Sequence, residues 1–459
     1  MLSQTDLTVA HEAALRVLER TGVLVHDDEA VALLCAHGAR ADRRRVFIGE
    51  DAVQAALAAA PRAFTLAGRS PARNVRFGDG HTVYGSCSGP AYILDGERLR
   101  PGTLRDLANS VKLGHMSANI EYHGDSMEPL DLPEDQRTRR GAHDRLLLSD
   151  KAGEWVATCD DDLDVAVAAN EIIFGSDWHR RACALIVVNT SSPLQMTEEA
   201  VRLLMRWAGL GQPTCVTSCV MGGTTGPATL AGVLVVQHAE VLAALVLAQA
   251  AGEGSPFIYG GLSAMASLRT GAVHFGTPEF ARLAEATVQL AHHCGLPVRA
   301  GAAVTDAHVL DAQAAMESRQ GLAPASRAGA DFMLQAAGVL SSFNVLSLEK
   351  FVADDEMITM VRALGETLSL RSEELALDVI DAAGPGGEFL GQSHTRAHAR
   401  DLERPTFLLR DAPEKWAAAG SPDAREAAAR EVARRLEAFT PPDDLDALVR
   451  RQLDDYLLR

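Results

Sequence analysis

The chain is poor in aromatic and basic residues. Of 459 residues only 5% are aromatic, and 43 Lys and Arg face 61 Asp and Glu, which gives a formal net charge of −18. This acidic balance disfavours the broad basic face that a nucleic-acid-binding protein needs, so we expect no nucleic-acid partner. Hydrophobic residues make up 47% and charged residues 23%, as in a folded globular protein. The length leaves room for three small domains or one large barrel with additions.

Cysteine is also scarce. The seven cysteines are odd in number, and none lies in a Cys-x-x-Cys pair, so a disulfide framework is not expected. The first helix-like segment carries Asp6, His11 and Glu12, where a secretory signal peptide would be apolar. Both features favour a reducing, cytoplasmic location.

Long uninterrupted apolar runs are absent. The most apolar stretch, 228–251, contains Gln237, His238, Glu240 and Gln249. It falls short of the roughly 20 apolar residues of a membrane span, and we expect a buried helix and no membrane association. Because this helix is apolar nearly all round, it must be covered by the terminal segments or by a second copy of the chain. The sequence therefore predicts a homo-oligomer.

Several signatures of catalysis are missing. There is no phosphate-binding loop with its lysine, no dinucleotide fingerprint and no G-x-S-x-G nucleophile turn. Among the 15 histidines, His292 and His293 are adjacent and point to different faces, whereas His394 and His398 could meet on one helix. No set of three zinc ligands can be read from these spacings, so no bound metal is expected.

What the sequence does contain is an alternation of helices and short apolar strands. Seven candidate strands follow one another: 120–126, 155–160, 184–190, 214–220, 257–263, 298–306 and 331–338. Apolar strands separated by helices predict a parallel sheet with right-handed crossovers. We expect an α/β fold, a (β/α)8 TIM barrel at 103–410, with an N-terminal α+β region at 1–102 and C-terminal helices at 411–459. The eighth strand comes either from 369–379 or from the earlier region.

Polar residues end several of these strands. Functional groups of such barrels gather at the carboxyl ends of the strands, which nominates Asp125, Asp306 and Gln335, the last two as catalytic residues. The alternative is that they cap helices or tie loops together. Gly222, Gly223 and Thr224 lie between a strand and a helix and are candidate cofactor-binding residues. Their amides could approach an anion, or the glycines could let a flat cofactor or neighbouring backbone come close.

An ordered set of motifs resembles the trimethylamine methyltransferase family along nearly the whole chain. The motifs are HEAALRVLERTGV, GSCSGPAYILD, MGGTTGPATLAGVLVVQHAEVLAALVLAQ, YGGLSAMASLRTG, TDAHVLDAQAAME, SLEKFVADDEM and ALDVIDAAGPGGEFLGQSHT. The resemblance implies a (β/α)8 barrel that moves a methyl group from an N-methylated amine to the cobalt of a separate corrinoid protein. The founding members carry pyrrolysine, which this chain lacks, so a quaternary amine such as glycine betaine is the expected methyl donor.

Such a reaction needs positioning more than acid-base chemistry, because a quaternary nitrogen leaves as a neutral amine. Aromatic faces and carboxylates hold a permanent cation. The candidate substrate-binding residues are Tyr92, Tyr259, Phe343 and Phe389, with Asp125, Asp306 or Glu349 as counter-charge. For each aromatic residue the alternative is packing in the core.

Two other functions remain open at this point. The same barrel could use a folate acceptor or act as a lyase or hydrolase, with Asp125, Asp306 and Gln335 as acid-base groups. Alternatively, the chain could be a non-catalytic assembly subunit.

Overall fold

The N-terminal segment combines three helices with short strands. We describe residues 1–402 and 407–458 of a computed structural model. The first elements are α1 (Gln4–Arg16), β1 (Val23–Val25), α2 (Asp28–Ala36), β2 (Arg40–Asp42), β3 (Arg45–Phe47), α3 (Glu50–Ala59), β4 (Phe64–Leu66) and β5 (Val75–Phe77). Ser3 and Asp27 start α1 and α2 by accepting hydrogen bonds from the backbone of the first turn.

The middle of the chain alternates strands and helices. Its elements are β6 (Val83–Gly85), β7 (Tyr92–Asp95), β8 (Arg98–Pro101), α4 (Leu104–Met116), β9 (Ile120–His123), α5 (Glu134–Leu148), β10 (Ala152–Gly153), α6 (Asp160–Phe174), β11 (Ile186–Asn189), β12 (Gln195–Met196), α7 (Glu198–Gly209), β13 (Thr214–Ser218), β14 (Met221–Gly222), α8 (Leu230–Ala251), β15 (Phe257–Gly261), β16 (Ala264–Ala266), β17 (Val273–His274), α9 (Pro278–His293), β18 (Val298–Arg299), α10 (Ala312–Ala328), β19 (Phe332–Met333), β20 (Val339–Leu340), β21 (Val345–Leu346) and α11 (Leu348–Gly365). Side-chain caps start most of these helices: Thr103, Thr197, Thr229, Thr277, Asp311 and Ser347.

Eight parallel strands form a closed ring. The sheet order is β10-β9-β6-β19-β18-β15-β13-β11. Its two edges meet through a parallel bridge between Glu154 and Leu185, where the Trp155 amide donates to the Leu185 carbonyl at 3.1 Å. Around the ring the strands follow chain order, and each is followed by one helix from α4 to α11. The predicted (β/α)8 barrel is confirmed.

The first barrel strand comes from the earlier region. It is β6, at Val83–Gly85, and it lies before the predicted barrel start at 103. The segment 369–379, the other candidate for this strand, contains α12 (Ser372–Leu375) and the start of α13 (Leu377–Ala383). The third strand lies at Ala152–Gly153 and not at 155–160, because 155–159 form the loop that leads into α6.

The amino-terminal end of the barrel is plugged by the β4–β5 hairpin. Its side chains join the interior apolar cluster with Tyr122 and Phe332. The rings of Phe77 and Phe332 meet edge to face at 5.4 Å, as do those of Tyr122 and Phe332 at 5.2 Å. The interior is therefore packed at this end, and within residues 1–402 and 407–458 the carboxyl-end mouth is the opening left for a ligand.

Helix α8 is covered by the chain itself. It is apolar and long enough to cross a membrane by length and composition, yet 72% of its most apolar window is buried inside the protein. Helices α1, α2, α3, α7 and α9 pack around it. The predicted buried helix is confirmed, and the N-terminal helices cover it in place of a second copy. The oligomeric state stays a prediction.

The C-terminal segment adds helices to the barrel's flank. They are α14 (Ser393–Leu402), α15 (Pro413–Ala418), α16 (Ala424–Ala438) and α17 (Ala447–Leu457). Helix α16 packs on α4 and α11, where Arg435 pairs with Asp355 at 2.6 Å, and α17 packs on α5 and α6. The last barrel helix ends at Gly365, so the barrel proper closes well before residue 410.

Candidate active site

A buried arginine crosses the barrel interior above the apolar plug. Arg299 of β18 donates through Nη1 to the hydroxyl of Thr217 at 3.2 Å and through Nη2 to the side-chain carbonyl of Gln335. Gly260 lies on the intervening strand, and a Cβ there would stand 2.4 Å from the Thr217 hydroxyl oxygen. The glycine therefore leaves room for the Thr217 hydroxyl that accepts from Arg299. Burial lowers the pKa of Arg299, but arginine stays a cation at any working pH.

Two carboxyl groups approach the same interior. Asp125 follows β9, and its Oδ1 accepts from the Gly89 amide at 2.8 Å. Glu154 follows β10, is only 7% exposed, and its Oε2 has no hydrogen-bond partner. Burial, together with the charge of Asp125, raises the pKa of Glu154 to about 7. Burial also raises the pKa of Asp125, against the hydrogen bond from Gly89.

These carboxyl groups open into an acidic cavity of about 960 Å³ at the mouth. Its charged lining residues are Asp125, Glu128, Glu134, Asp135, Arg137, Arg139, Arg145, Glu154, Asp161, Asp162 and Asp164. Acids thus outnumber arginines by eight to three. The volume lies within the range of small-molecule sites. A cavity with this charge excess attracts a cationic ligand.

Trp155 supplies an aromatic wall to this cavity. The guanidinium of Arg145 lies 4.9 Å from the centre of the Trp155 ring. Arg145 can reach the Trp155 ring because Gly153 has no side chain. A Cβ at Gly153 would lie 2.4 Å from Nη1 of Arg145. The site therefore combines an aromatic face, buried anions and buried cations within a few residues of one another.

The comparison of the whole sequence decides the family. Residues 1–459 match the sequence model described as trimethylamine methyltransferase (MTTB). The chain belongs to the trimethylamine methyltransferase family. The glycine betaine methyltransferase of Desulfitobacterium hafniense strain Y51 is 36% identical over 91% of this chain and 88% of its own length.

Two further relatives and one solved structure are named for different amines. The L-carnitine:corrinoid methyltransferase of Eubacterium limosum is 30% identical over 96% of this chain and 93% of its own. The proline betaine:corrinoid methyltransferase of the same organism is 28% identical over 96% of this chain and 94% of its own. The solved monomethylamine methyltransferase of Methanosarcina barkeri aligns over 95% of this chain and 93% of its own, with 13% identity and a TM-score of 0.44.

Within this family fold, two of the predicted site residues lie at the interior. Asp125 lines the acidic cavity, and Gln335 contacts the buried Arg299. Gln335 also has a left-handed backbone, with φ of 57°, and its amide nitrogen reaches the Ser88 carbonyl at 3.5 Å. The structure thus places the side-chain carbonyl of Gln335 against the guanidinium of Arg299, and its predicted catalytic role stays a prediction.

Asp306 and Phe343 lie together in a second group of mouth loops. The Asp306 carboxylate accepts from the amides of Phe275 and Gly276, each at 3.1 Å, and from the Ser342 hydroxyl at 2.6 Å. Phe343 meets Phe275 edge to face at 4.7 Å. The Asp306 carboxylate also lies 3.4 Å from Nδ1 of His274, so it ties the loops together, and its predicted catalytic role stays a prediction.

The remaining substrate-binding candidates lie away from the cavity. Tyr259 is fully buried on the helix side of β15, with its hydroxyl 3.1 Å from His238, because alternate strand residues face outward. Tyr92, on β7, is 44% exposed, and Phe389, beyond α13, is 45% exposed. Glu349 accepts from Ser347 at 3.0 Å in the first turn of α11. None of these four lines the cavity described above.

The glycine-rich loop after β13 is filled by the protein itself. A Cβ at Gly222 would lie 2.3 Å from the sulfur of Met265, and one at Gly223 would lie 2.9 Å from Leu268. The hydroxyl of Thr224 donates to the Met221 carbonyl at 3.1 Å. These glycines let the side chains of Met265 and Leu268 come close, and the cofactor-binding role of the loop stays a prediction.

Sequence reasoning missed the charged residues at the centre of the site. Glu154 was missed because the third strand was predicted at 155–160. The prediction therefore placed Glu154 before a strand, whereas it directly follows β10. Arg299 is the second residue of the strand that starts at Val298. A charged residue between apolar residues of a predicted strand indicates a polar site inside the barrel. A charged side chain inside a barrel strand must face a polar interior, because burial without a partner is costly.

Proposed function

We propose that the protein transfers a methyl group from a small zwitterionic quaternary amine, a betaine, to the cobalt of a separate corrinoid protein. Family membership and the names of the relatives support the reaction class. The donor class is supported by the charges of the barrel interior. A betaine carries one carboxylate and one quaternary ammonium, and it needs a partner for each.

The observation that carries the proposal is the pair of incompletely bonded groups of opposite charge. The Nε of Arg299 and the Oε2 of Glu154 are both buried without a hydrogen-bond partner, and each residue feels the other's charge. Buried polar atoms are nearly always satisfied in native proteins, so two orphans of opposite sign indicate a ligand with both charges. Arg299 suits the carboxylate, and Glu154 with Asp125 suits the ammonium.

The corrinoid enters as the methyl acceptor, held by another protein, and supplies a reduced cobalt nucleophile. The wide, open cavity leaves the mouth accessible beside a small amine. No proton is required for the leaving nitrogen, which departs as a neutral tertiary amine. The residues of this chain bind, orient and desolvate the donor, which brings the methyl carbon to a fixed place at the mouth.

The carboxylates act on binding more than on the chemical step. The ammonium loses its positive charge as the methyl group leaves, so Glu154 and Asp125 stabilise the bound cation more than the transition state. The same loss of charge weakens the hold on the neutral product. We therefore expect the counter-charge to lower KM for the donor and to promote exchange of product for substrate.

The test is a donor panel with a reduced corrinoid protein. Glycine betaine, proline betaine, carnitine, choline and trimethylamine are compared by loss of the reduced-cobalt absorbance and by mass spectrometry of the demethylated amine. We expect turnover with at least one carboxylate-bearing donor and at least tenfold lower kcat/KM with choline, which lacks the carboxylate. Equal turnover of choline overturns the betaine assignment, and silence across the panel overturns the reaction.

Acid-base chemistry on another substrate is not favoured by the loops. The carboxylate of its candidate Asp306 accepts hydrogen bonds from Phe275, Gly276 and Ser342 and lies 3.4 Å from His274, which supports a structural role in the loops.

A further inference from the structure

A cluster of metal-binding side chains lies outside the barrel wall, away from the acidic cavity. His11 of α1, His238 of α8 and Cys294, which caps the end of α9, place their donor atoms within 4.8 Å of one another. The three residues come from distant parts of the chain and have no part in the proposed reaction. Their convergence joins the N-terminal helix to two barrel helices.

We propose that His11, His238 and Cys294 form a structural zinc site. Two imidazole nitrogens and one thiolate sulfur are a donor set that zinc prefers. The site would fix α1 onto the helices that it covers. The fourth position is open to water or to His293, whose ring centre lies 6.1 Å from that of His11.

The distances among the donor atoms suit a tetrahedral ion. Nδ1 of His11 and Nε2 of His238 are 2.9 Å apart, and the sulfur of Cys294 lies 3.7 Å from the first and 3.9 Å from the second. Zinc bonds of about 2.0 Å to nitrogen and 2.3 Å to sulfur at tetrahedral angles place two nitrogens about 3.3 Å apart and a nitrogen and a sulfur about 3.5 Å apart. Movements of a few tenths of an ångström bring all three donors to one ion.

A buried tyrosine orients one of the ligands. The other ring nitrogen of His238, Nδ1, lies 3.1 Å from the hydroxyl oxygen of Tyr259. When Nδ1 carries the proton and donates it there, Nε2 presents its lone pair toward His11 and Cys294. Outer hydrogen bonds of this kind hold metal-bound histidines in place. This arrangement gives the fully buried Tyr259 a role in the outer helix layer.

Zinc binding would form the zinc–sulfur bond and release the thiol proton of Cys294 to solvent, so the affinity for zinc should rise with pH.

The experiment uses the full chain, dialysed against a chelator and then titrated with Zn²⁺ or Co²⁺. We expect one Zn²⁺ per chain, a rise in Tm, about one proton released per ion, and a cobalt–thiolate charge-transfer band. Cys294→Ala should abolish that band, and both Cys294→Ala and His11→Gln should weaken zinc binding at least tenfold. Matched controls are Cys35→Ala and His179→Gln, which alter exposed residues elsewhere and should bind as the wild type does.

Two results overturn the proposal. One is a wild-type chain that binds no stoichiometric zinc or shows no thiolate band with cobalt, a result that does not depend on any variant folding. The other is unchanged affinity in both site variants. In either case the contact between His11 and His238 is a hydrogen bond between helices and nothing more.

Discussion

The carboxyl of Glu154 should make the protein less stable as the pH rises. The unfolded chain loses this proton near 4.5, whereas burial holds it in the folded protein up to a pKa of about 7. Between those values the folded state binds more protons than the unfolded state, so the free energy of unfolding falls with rising pH and levels off above about 7. Each tenfold difference in proton affinity is worth about 1.4 kcal/mol, which makes the whole loss about 3 kcal/mol.

The substitution Glu154→Gln removes this titration while keeping the side chain's size. Relative to the wild type, the variant should gain up to about 3 kcal/mol of stability between pH 4.5 and pH 8. Urea unfolding of both proteins at the two pH values measures this difference, because the groups other than Glu154 and its neighbour Asp125 titrate alike in the pair. Glu253→Gln, in the exposed turn after α8, controls for the substitution itself.

The same variant tests the proposed donor site. Loss of the counter-charge should raise KM for a betaine by at least about tenfold, or about 1.4 kcal/mol, and leave kcat unchanged or higher. In the wild type, betaine binding should strengthen from pH 6 to pH 8, because the cation needs the ionised carboxylate. A stability difference that does not vary with pH would refute the burial of a titrating carboxyl. An unchanged KM would refute its contact with the amine.

Three further substitutions separate structure from function. Phe77→Ala removes a ring from the hairpin that plugs the barrel and should cost about 3 to 5 kcal/mol in urea unfolding, whereas a loss below 1 kcal/mol would show that the plug is not packed. Gly260→Ala places a methyl group against Thr217, which contacts Arg299. In steady-state assays it should raise KM for carboxylate-bearing donors more than for choline. An equal effect on both would contradict the role of Arg299. Asp306→Ala should lower the free energy of unfolding by about 1 to 3 kcal/mol, because the loop donors lose their hydrogen-bond acceptor. KM and kcat should stay within about threefold of the wild type. A hundredfold loss of kcat with normal stability would instead assign Asp306 to catalysis.

The barrel could be predicted from the sequence because most of its strands are short apolar runs between helices. β13 and β15 are buried along their whole length and stand out as such. Two strands escaped this pattern. β10 is flanked by the charged residues Lys151 and Glu154, and β6 lies in a glycine-rich segment, so neither stands in an apolar run of its own.

The site was harder to predict than the fold, because it depends on which way each residue faces. Asp125 could be placed from its position at a strand end. The direction of Tyr259 could not be predicted, because the sequence looks the same whether the ring faces into the barrel or out of it. Only the register of β15 decides between the two. The cluster of His11, His238 and Cys294 was also hidden, because its members are separated by 227 and 56 residues along the chain.

The hairpin that fills the amino-terminal end of the barrel also sets an order of events. With one end closed, the mouth is the single route described for a small amine to enter the interior, and the proposed acceptor must dock over that same mouth. The donor then has to bind before the acceptor protein, and the demethylated amine has to wait until that protein leaves. A barrel that is closed at its amino-terminal end should therefore show compulsory-order kinetics, with inhibition at high concentrations of the acceptor protein.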